Sequence, residues 1–253
     1  MLEYKHLIKP TKRKNNMTKT FENFTPPPYP KDLTLLGNKV ILEPLNAAQH
    51  GQALFEANSI AKTNEAWDYL PYGPFKSFED YTAWLEGMQG LKDPYFFAII
   101  RKSDNKAIGV ASYLRINPDA GSLEVGHLNF SPLLQKTTEA TEAMFLMMQW
   151  AFENGYRRYE WKCNARHIKS RKAAQRLGFS YEGVFRNHLI VKQRNRNTAW
   201  FAMIEEEWPA FKACLLAYLA DQNFDENGIP KTSLSSATKA LLFKEDNFDF
   251  INL

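Results

Sequence analysis

The stretch SPLLQKTTEATEAMFLMMQWAFENG, Ser131–Gly155, decides how the rest of the chain is read. It begins where a strand-like run ends, passes through the small and polar Gln135-Lys136-Thr137-Thr138-Glu139-Ala140, and continues as an apolar helix. Ala140, Met144, Met147, Met148 and Ala151 share one broad helical face, and Gly155 stands where a C′ glycine stops a helix. A methionine stripe at this spacing predicts core. The loop before it points to chemistry. The first N–H groups of a helix lack intrahelical partners and the macrodipole places partial positive charge there, so Gln135–Ala140 is a candidate anion site suited to a pyrophosphate. An ordinary polar loop capping a core helix is the competing reading, and only its structural context separates the two.

Upstream, Tyr95–Ile100, Ala107–Ile116 and Ser122–Phe130 are apolar or alternating runs separated by Ser103-Asp104-Asn105 and Asn117-Pro118-Asp119-Ala120-Gly121, which predicts three antiparallel strands. Downstream, Arg158–Asn164 alternates, with Tyr159, Trp161 and Cys163 on one face and Arg158, Glu160 and Lys162 on the other. The helix between makes a strand–helix–strand unit, whose strands run parallel if they share a sheet. Ser170–Leu177 then predicts a helix stopped by Gly178, and Tyr181–Val191 pairs with Thr198–Glu205 across a polar Gln193–Asn197 turn. Nearer the start, Val40-Ile41-Leu42 is a strand. Asn46 with Gln49, and Ser77 with Asp80, cap helices reaching Ala57 and Gly87. Between these helices, Glu65–Phe75 (EAWDYLPYGPF) sets Trp67, Tyr69, Tyr72 and Phe75 among prolines and a glycine, so it is a loop that either covers a core or walls a cleft.

The ends differ in kind. Residues 1–32 carry Lys12-Arg13-Lys14 and Pro26-Pro27-Pro28-Tyr29-Pro30 with no amphipathic period, which reads as a flexible basic, proline-rich arm. Residues 33–209 form the folded domain. Residues 210–253 are a helical extension containing the amphipathic end of Pro209–Leu219 and a short helix over Ser235–Phe243.

Among 253 residues, 44% are hydrophobic and 24% charged, which excludes a wholly disordered chain. The net charge of +4 suits an anionic ligand, but much of the excess precedes Asp32, which argues against a nucleic-acid binder. Cys163 and Cys214 are too few for a disulfide framework and have no metal-like spacing with the five histidines, so no metal site is expected and a reducing, cytoplasmic setting is. No apolar run approaches a bilayer span and no signal-peptide core opens the chain.

The blocks Glu124–Met144, Asn164–Arg186, AWDYLPYGPF and TAWFAMIEEEWP occur in the order found in the GCN5-related N-acetyltransferase (GNAT) superfamily, and the chain most resembles its ribosomal-protein alanine acetyltransferases. The resemblance covers about Thr34–Pro209 and implies an α/β fold. Its mixed, mostly antiparallel sheet has helices on both faces and a central parallel pair that splays to hold acetyl-CoA. It implies acetyl-CoA as acyl donor and a primary amine as acceptor; a monomer or homodimer that binds neither membrane nor nucleic acid is expected. The family signature Gln/Arg-x-x-Gly-x-Gly/Ala falls on Gln135, Lys136, Thr137, Thr138, Glu139 and Ala140, with Thr138 in the glycine position. Glycine lets backbone approach phosphate closely, so Thr138 is the departure that matters. Phe130, Asn164, His167, Ser170 and Arg171 follow as further donor contacts, His167 replacing the family's asparagine and Arg171 lying in a basic run suited to the 3′-phosphate of CoA. A tyrosine four residues before the LGF glycine protonates the leaving thiolate in many members. Here that position is Ala174.

The chemistry needs a base, because a protonated amine cannot attack a thioester. Glu124 is the preferred candidate and His127 the alternative. Alternation puts them on opposite faces of a regular strand, so only one faces the cleft unless a bulge intervenes. Backbone N–H groups near Asn129 are expected to polarise the thioester carbonyl, and Trp67, Tyr69, Tyr72 and Phe75 to wall the acceptor site. Buried Cys163 is a poor acyl carrier, so direct attack in a ternary complex is expected. A non-catalytic acyl-CoA sensor on the same fold is the alternative, kept open by Ala174 and Thr138.

Overall fold

The computed structural model describes residues 20–249. One eight-stranded sheet is ordered β1-β2-β3-β4-β5-β6-β8-β7. Its strands are β1 (Leu35–Leu36), β2 (Val40–Pro44), β3 (Tyr95–Arg101), β4 (Lys106–Asn117), β5 (Ser122–Phe130), β6 (Arg158–Asn164), β7 (Ser180–Val191) and β8 (Arg194–Ile204). Every neighbouring pair is antiparallel except β5 with β6. The exception follows from chain order: α4 (Thr138–Glu153) carries the chain from the end of β5 back to its beginning, so β6 enters in the same direction. Helices α1 (Ala47–Ser59), α2 (Glu65–Asp68) and α3 (Phe78–Met88) precede the main meander, while α5 (Ile168–Arg176), α6 (Trp208–Leu219) and α7 (Leu234–Lys239) follow.

The two faces of the sheet bury different clusters. Leu123 and Val125 of β5, with Tyr159, Trp161 and Cys163 of β6, join Met144, Met147 and Met148 of α4 in the larger core. On the other face, Phe96, Ala98 and Val110 pack with Leu54 of α1, Trp67, and Tyr81 and Leu85 of α3. The methionine stripe is therefore core, and β6 alternates buried and half-buried residues as its sequence pattern requires.

Both N-caps read from the sequence form. Asn46 Oδ1 accepts from the Gln49 N–H at 2.9 Å, and Ser77 Oγ from that of Asp80 at 3.1 Å. The expected reciprocal half of the first capping box is different: the Asn46 N–H goes to Nδ1 of His50, while the Gln49 amide donates to Glu43. The β7–β8 hairpin also differs from expectation. Its turn is Lys192-Gln193, with φ values of 48° and 61°, and Arg194–Asn197 already belongs to β8. Two consecutive left-handed residues match the twist of the flanking strands, so a two-residue turn replaces the longer polar one even without asparagine or glycine.

Lys12-Arg13-Lys14 lie outside the described residues. Residues 20–32, read from sequence as part of the same arm, make defined contacts. The Pro28 carbonyl accepts from the Tyr156 hydroxyl at 2.9 Å, and the Tyr29 hydroxyl donates to the Ile116 carbonyl at 3.2 Å. At the other end, the chain beyond α7 lies along β7 and α5: the Tyr181 N–H donates to the Lys244 carbonyl, and the Asp246 N–H to Gln175 Oε1.

Candidate active site

The parallel strands pair only at their beginning, from Ser122 with Arg158 to Val125 with Trp161. Beyond that, β5 stays with β4 and β6 stays with β8, so a wedge opens between them on the side where α4 and α5 start. The Gln135–Ala140 loop and Asn164–Arg171 stand on its two sides, brought together by this divergence alone.

At the loop, Thr137 is the N-cap of α4 and its Oγ1 accepts from the Ala140 N–H at 3.1 Å. Lys136 is left-handed, φ 62°. Thr138 is the first residue of the helix, so its backbone does not need glycine. Its hydroxyl donates to Glu139 Oε2 at 3.1 Å. Gln135 does not point outward freely, because its amide donates to the Phe130 carbonyl at 2.7 Å. Thr138 and Glu139 lie in the first helical turn, where N–H groups have no intrahelical acceptor, and their N–H groups, with that of Lys136, are the ones open to an anion. This cradle fits a pyrophosphate.

Across the wedge, the assigned residues are engaged in different ways. Asn164 Oδ1 accepts from the Arg166 N–H at 2.9 Å, and Ser170 Oγ accepts from Trp161 Nε1 at 3.0 Å. His167 stacks on Tyr69 with ring centroids 3.9 Å apart, and burial, with Lys169 and Arg196 nearby, holds its imidazole down at about 4. Arg171 does not reach the wedge. It is fully buried, pairs with Asp246 and donates to the Ala165 carbonyl, so the C-terminal residues occupy the guanidinium expected for CoA.

Glu124 faces away from α4, between Leu123 and Val125 of the larger core. Two β-bulges surround it. One places an extra residue in β5 between Gly126 and Asn129, where His127 is left-handed at φ 51°. The other places an extra residue in β4 between Leu114 and Asn117, where Arg115 has φ 48°. Each bulge shifts the alternation by one, so His127 and Arg115 both turn to the face of Glu124. Arg115 Nη2 lies 2.6 Å and Lys162 Nζ 3.0 Å from Glu124 Oε2. Burial raises the Glu124 carboxyl above its ordinary value, against the pull of these two cations. The expected conflict between Glu124 and His127 is thus removed by the bulge.

His127 is held by the aromatic loop. Its Nδ1 lies 3.2 Å from the Tyr72 hydroxyl, the two rings stack at 5.6 Å, and Phe96 packs at 5.0 Å. Burial, then Arg115, holds its imidazole down at about 4, so it is neutral at neutral pH. Trp67, Tyr72 and Phe75 pack into one another and onto Tyr81, so this loop covers the core of that face. Lys192, at the hairpin turn, donates to the carbonyls of Trp67 at 2.9 Å and Gly73 at 2.6 Å. The loop therefore bridges from α5 to the β7–β8 hairpin across the open end of the wedge.

Asn129 is 1% exposed and neither atom of its side-chain amide has a partner among the described residues. Cys163 is buried, which pushes its thiol up to about 12. Among the described residues no group of three His, Cys, Asp or Glu is placed to hold a metal, and no helix is long and apolar enough to cross a membrane. Sequence reasoning missed Arg115 and Arg196 and did not give Lys162 a role. Lys162 was visible as a polar position on a half-buried strand, whereas Arg115 needed the bulge and Arg196 the correct hairpin length.

A family model described as an acetyltransferase (GNAT) domain matches residues 39–180. The crystal structure of a GCN5-related N-acetyltransferase from Brucella melitensis is 42% identical, with a TM-score of 0.83, over 86% of this chain and 99% of its own. The uncharacterized N-acetyltransferase YnaD of Bacillus subtilis is 25% identical over 158 residues, 62% of this chain and 89% of its own. The acetyltransferase MccE, which gives self immunity to microcin C7 and was solved in complex with acetyl-CoA and AMP, shares the fold at 19% identity and a TM-score of 0.58, over 66% of this chain and 93% of its own.

Proposed function

The chain belongs to the acetyltransferase (GNAT) family, and on that footing we propose that it moves an acetyl group from acetyl-CoA to a primary amine, of a peptide N-terminus or a small molecule, by direct attack while both are bound. The single observation that carries this reading is the juxtaposition of an anion cradle, the N–H groups of Lys136, Thr138 and Glu139, with a wedge between two parallel strands that leads to buried Glu124. A nucleotide thioester has both an anionic end and a long neutral arm, and the two features suit those parts in that order. MccE, of the same fold, binds the same donor.

In this reading Glu124 accepts the proton of the attacking ammonium, directly or through water. Its burial makes it a stronger base than an ordinary carboxylate, while Arg115 and Lys162 keep it positioned. The amine nitrogen then bonds to the thioester carbon, backbone N–H near Asn129 stabilises the oxyanion, the C–S bond breaks, and the nitrogen gives up its second proton to water to leave the neutral amide. Ala174 leaves no tyrosine to protonate the thiolate, so water supplies that proton. His127 is the alternative base, but its hydrogen bond to Tyr72 and its low basicity suit a neutral partner that sets the aromatic loop. Inaccessible Cys163 supports direct attack over an acyl-enzyme. Cys163 and Cys214, both free, suit a reducing, cytoplasmic setting.

The test is thiol release from acetyl-CoA with peptides, polyamines and amino acids. Amine-dependent release and acetylated product are expected. Tight acetyl-CoA binding with no release across the panel would replace this reading by the sensor.

A further inference from the structure

Arg196 is a half-buried cation on the acceptor face whose side chain has no ion pair among the described residues. It lies on β8, whose Trp200 pairs with Lys162 and whose Thr198 pairs with Asn164, the last residue of β6. By alternation Arg196 shares a face with Thr198 and Trp200, the face of Glu124 and Lys162, and it sits one step past the end of β6 at the mouth of the wedge. Lys162 Nζ stands 3.7 Å over the Trp200 ring, which fixes that face. Arg196 is within electrostatic reach of Glu124, Arg115, His167 and His188.

Other cations of the domain have partners. Arg115 and Lys162 hold Glu124, Arg158 holds Glu160 and Glu182, Lys169 holds Glu65, and Lys192 holds two carbonyls. Among the described residues the Arg196 side chain makes no ion pair or hydrogen bond, and its Nε is buried without a partner. Among the orphaned groups on this face, those on the strands beside the wedge are the Nε1 of Trp200 on β8 and both amide atoms of Asn129 on β5. Buried polar atoms are normally satisfied, and a desolvated cation costs stability unless something compensates it. Three such groups converging on the wedge from the acceptor side indicate a ligand. The body of α4, whose N-terminus is assigned to the pyrophosphate, packs on the opposite face of the sheet, and the KM for acetyl-CoA of an Arg196 variant separates the donor's phosphates from an acceptor group.

We infer that Arg196 binds a carboxylate on the acceptor, so that the preferred substrate is a primary amine with a carboxylate within a residue or two of the reacting nitrogen. This rests on the transfer reading above and narrows its acceptor. Arginine suits the task, as its planar fork meets a carboxylate with two hydrogen bonds.

Two matched pairs of acceptors test it at equal free-amine concentration: β-alanine against β-alaninamide, and Ala-Asp-amide against Ala-Asn-amide. The first pair reports a free amino acid and the second an acidic peptide. In at least one pair kcat/KM should favour the carboxylate by about tenfold or more, the range of a hydrogen bond to a charged group. Arg196→Gln should bring that ratio near one and Arg196→Lys should restore part of it, with circular dichroism melting showing both variants folded. Equal use of both members of each pair by the wild type overturns the inference and leaves acetyl transfer standing. So does a preference that survives Arg196→Gln, or a variant that raises KM for acetyl-CoA while the ratio is unchanged. No thiol release with any of the four amines, or with the wider panel, removes both readings.

Discussion

Arg171 and Asp246, 75 residues apart, form a two-pronged ion pair with Nη2–Oδ1 at 2.6 Å and Nε–Oδ2 at 2.7 Å, and neither side chain is exposed. The Phe248 ring lies 5.3 Å from the same guanidinium, and the Asp249 carbonyl accepts from it at 3.2 Å. The segment after α7 is thereby fastened to α5, the helix that flanks the wedge. Removing one member of a buried pair strands the other charge at a cost of about 3–5 kcal/mol. Asp246→Ala should lower the unfolding free energy by about that amount in a denaturant titration. KM for acetyl-CoA should change little, since Arg171 serves the tail.

A second buried carboxylate ties the start of the domain to α4. Glu142 accepts from the backbone N–H groups of Asn38, Lys39 and Val40 at 2.9, 2.7 and 2.9 Å. Glu142→Ala leaves three donors without acceptors, and because an orphaned buried donor costs about 1–3 kcal/mol, a loss of about 2–4 kcal/mol is expected after water reaches the more exposed of them. Hydrogen exchange should quicken first at Asn38–Val40.

How far the sequence carried these conclusions depends on whether a feature is local or made by distant parts. Caps at Asn46 and Ser77, the alternation of Arg158–Asn164 and the apolar stripe of α4 are written in neighbouring residues, and they are where they were expected. The parallel pair followed from one crossover helix. Arg171 was legible only as part of a basic run, because its partner comes from a tail with no helical or strand pattern. The bulges at Arg115 and His127 put non-glycine residues in the left-handed region, and they reverse the facing that alternation assigns. Thr138 looked like a defect in the signature because the signature records residue types, whereas its helical backbone needs no glycine.

Acid should weaken the fold through two histidines. His127 and His167 are each held down at about 4 from an ordinary 6.5, mainly by burial. Below 6.5 the unfolded chain therefore binds more protons than the folded one, so stability is fully present above about pH 6.5 and is lost as pH falls toward 4. Urea midpoints measured at several pH values should show this decline, and His127→Gln should make it shallower.

Lys192 is expected to matter for the acceptor side. Lys192→Ala removes both of its hydrogen bonds to the aromatic loop, at Trp67 and Gly73. The loop should lose hydrogen-exchange protection over residues 65–75, and KM for the acceptor should rise several-fold, as expected for one or two hydrogen bonds to a charged group that are partly solvated. An acceptor KM equal to that of the wild type would show that the loop does not form that wall.

Glu124→Gln separates the base from its scaffold. The glutamine keeps an oxygen for Arg115 or Lys162 but cannot take a proton, so kcat should fall by about 10²–10⁴-fold with a small change in KM for acetyl-CoA. Full kcat at every pH would transfer the role to water or to His127.

The most direct measurement is a crystal structure of the chain soaked with acetyl-CoA. The pyrophosphate should lie on the N–H groups of Lys136, Thr138 and Glu139, with the pantetheine arm in the wedge between β5 and β6 and the thioester beside the face that carries Glu124. Pyrophosphate density anywhere else, or an arm that runs outside the wedge, would contradict the account.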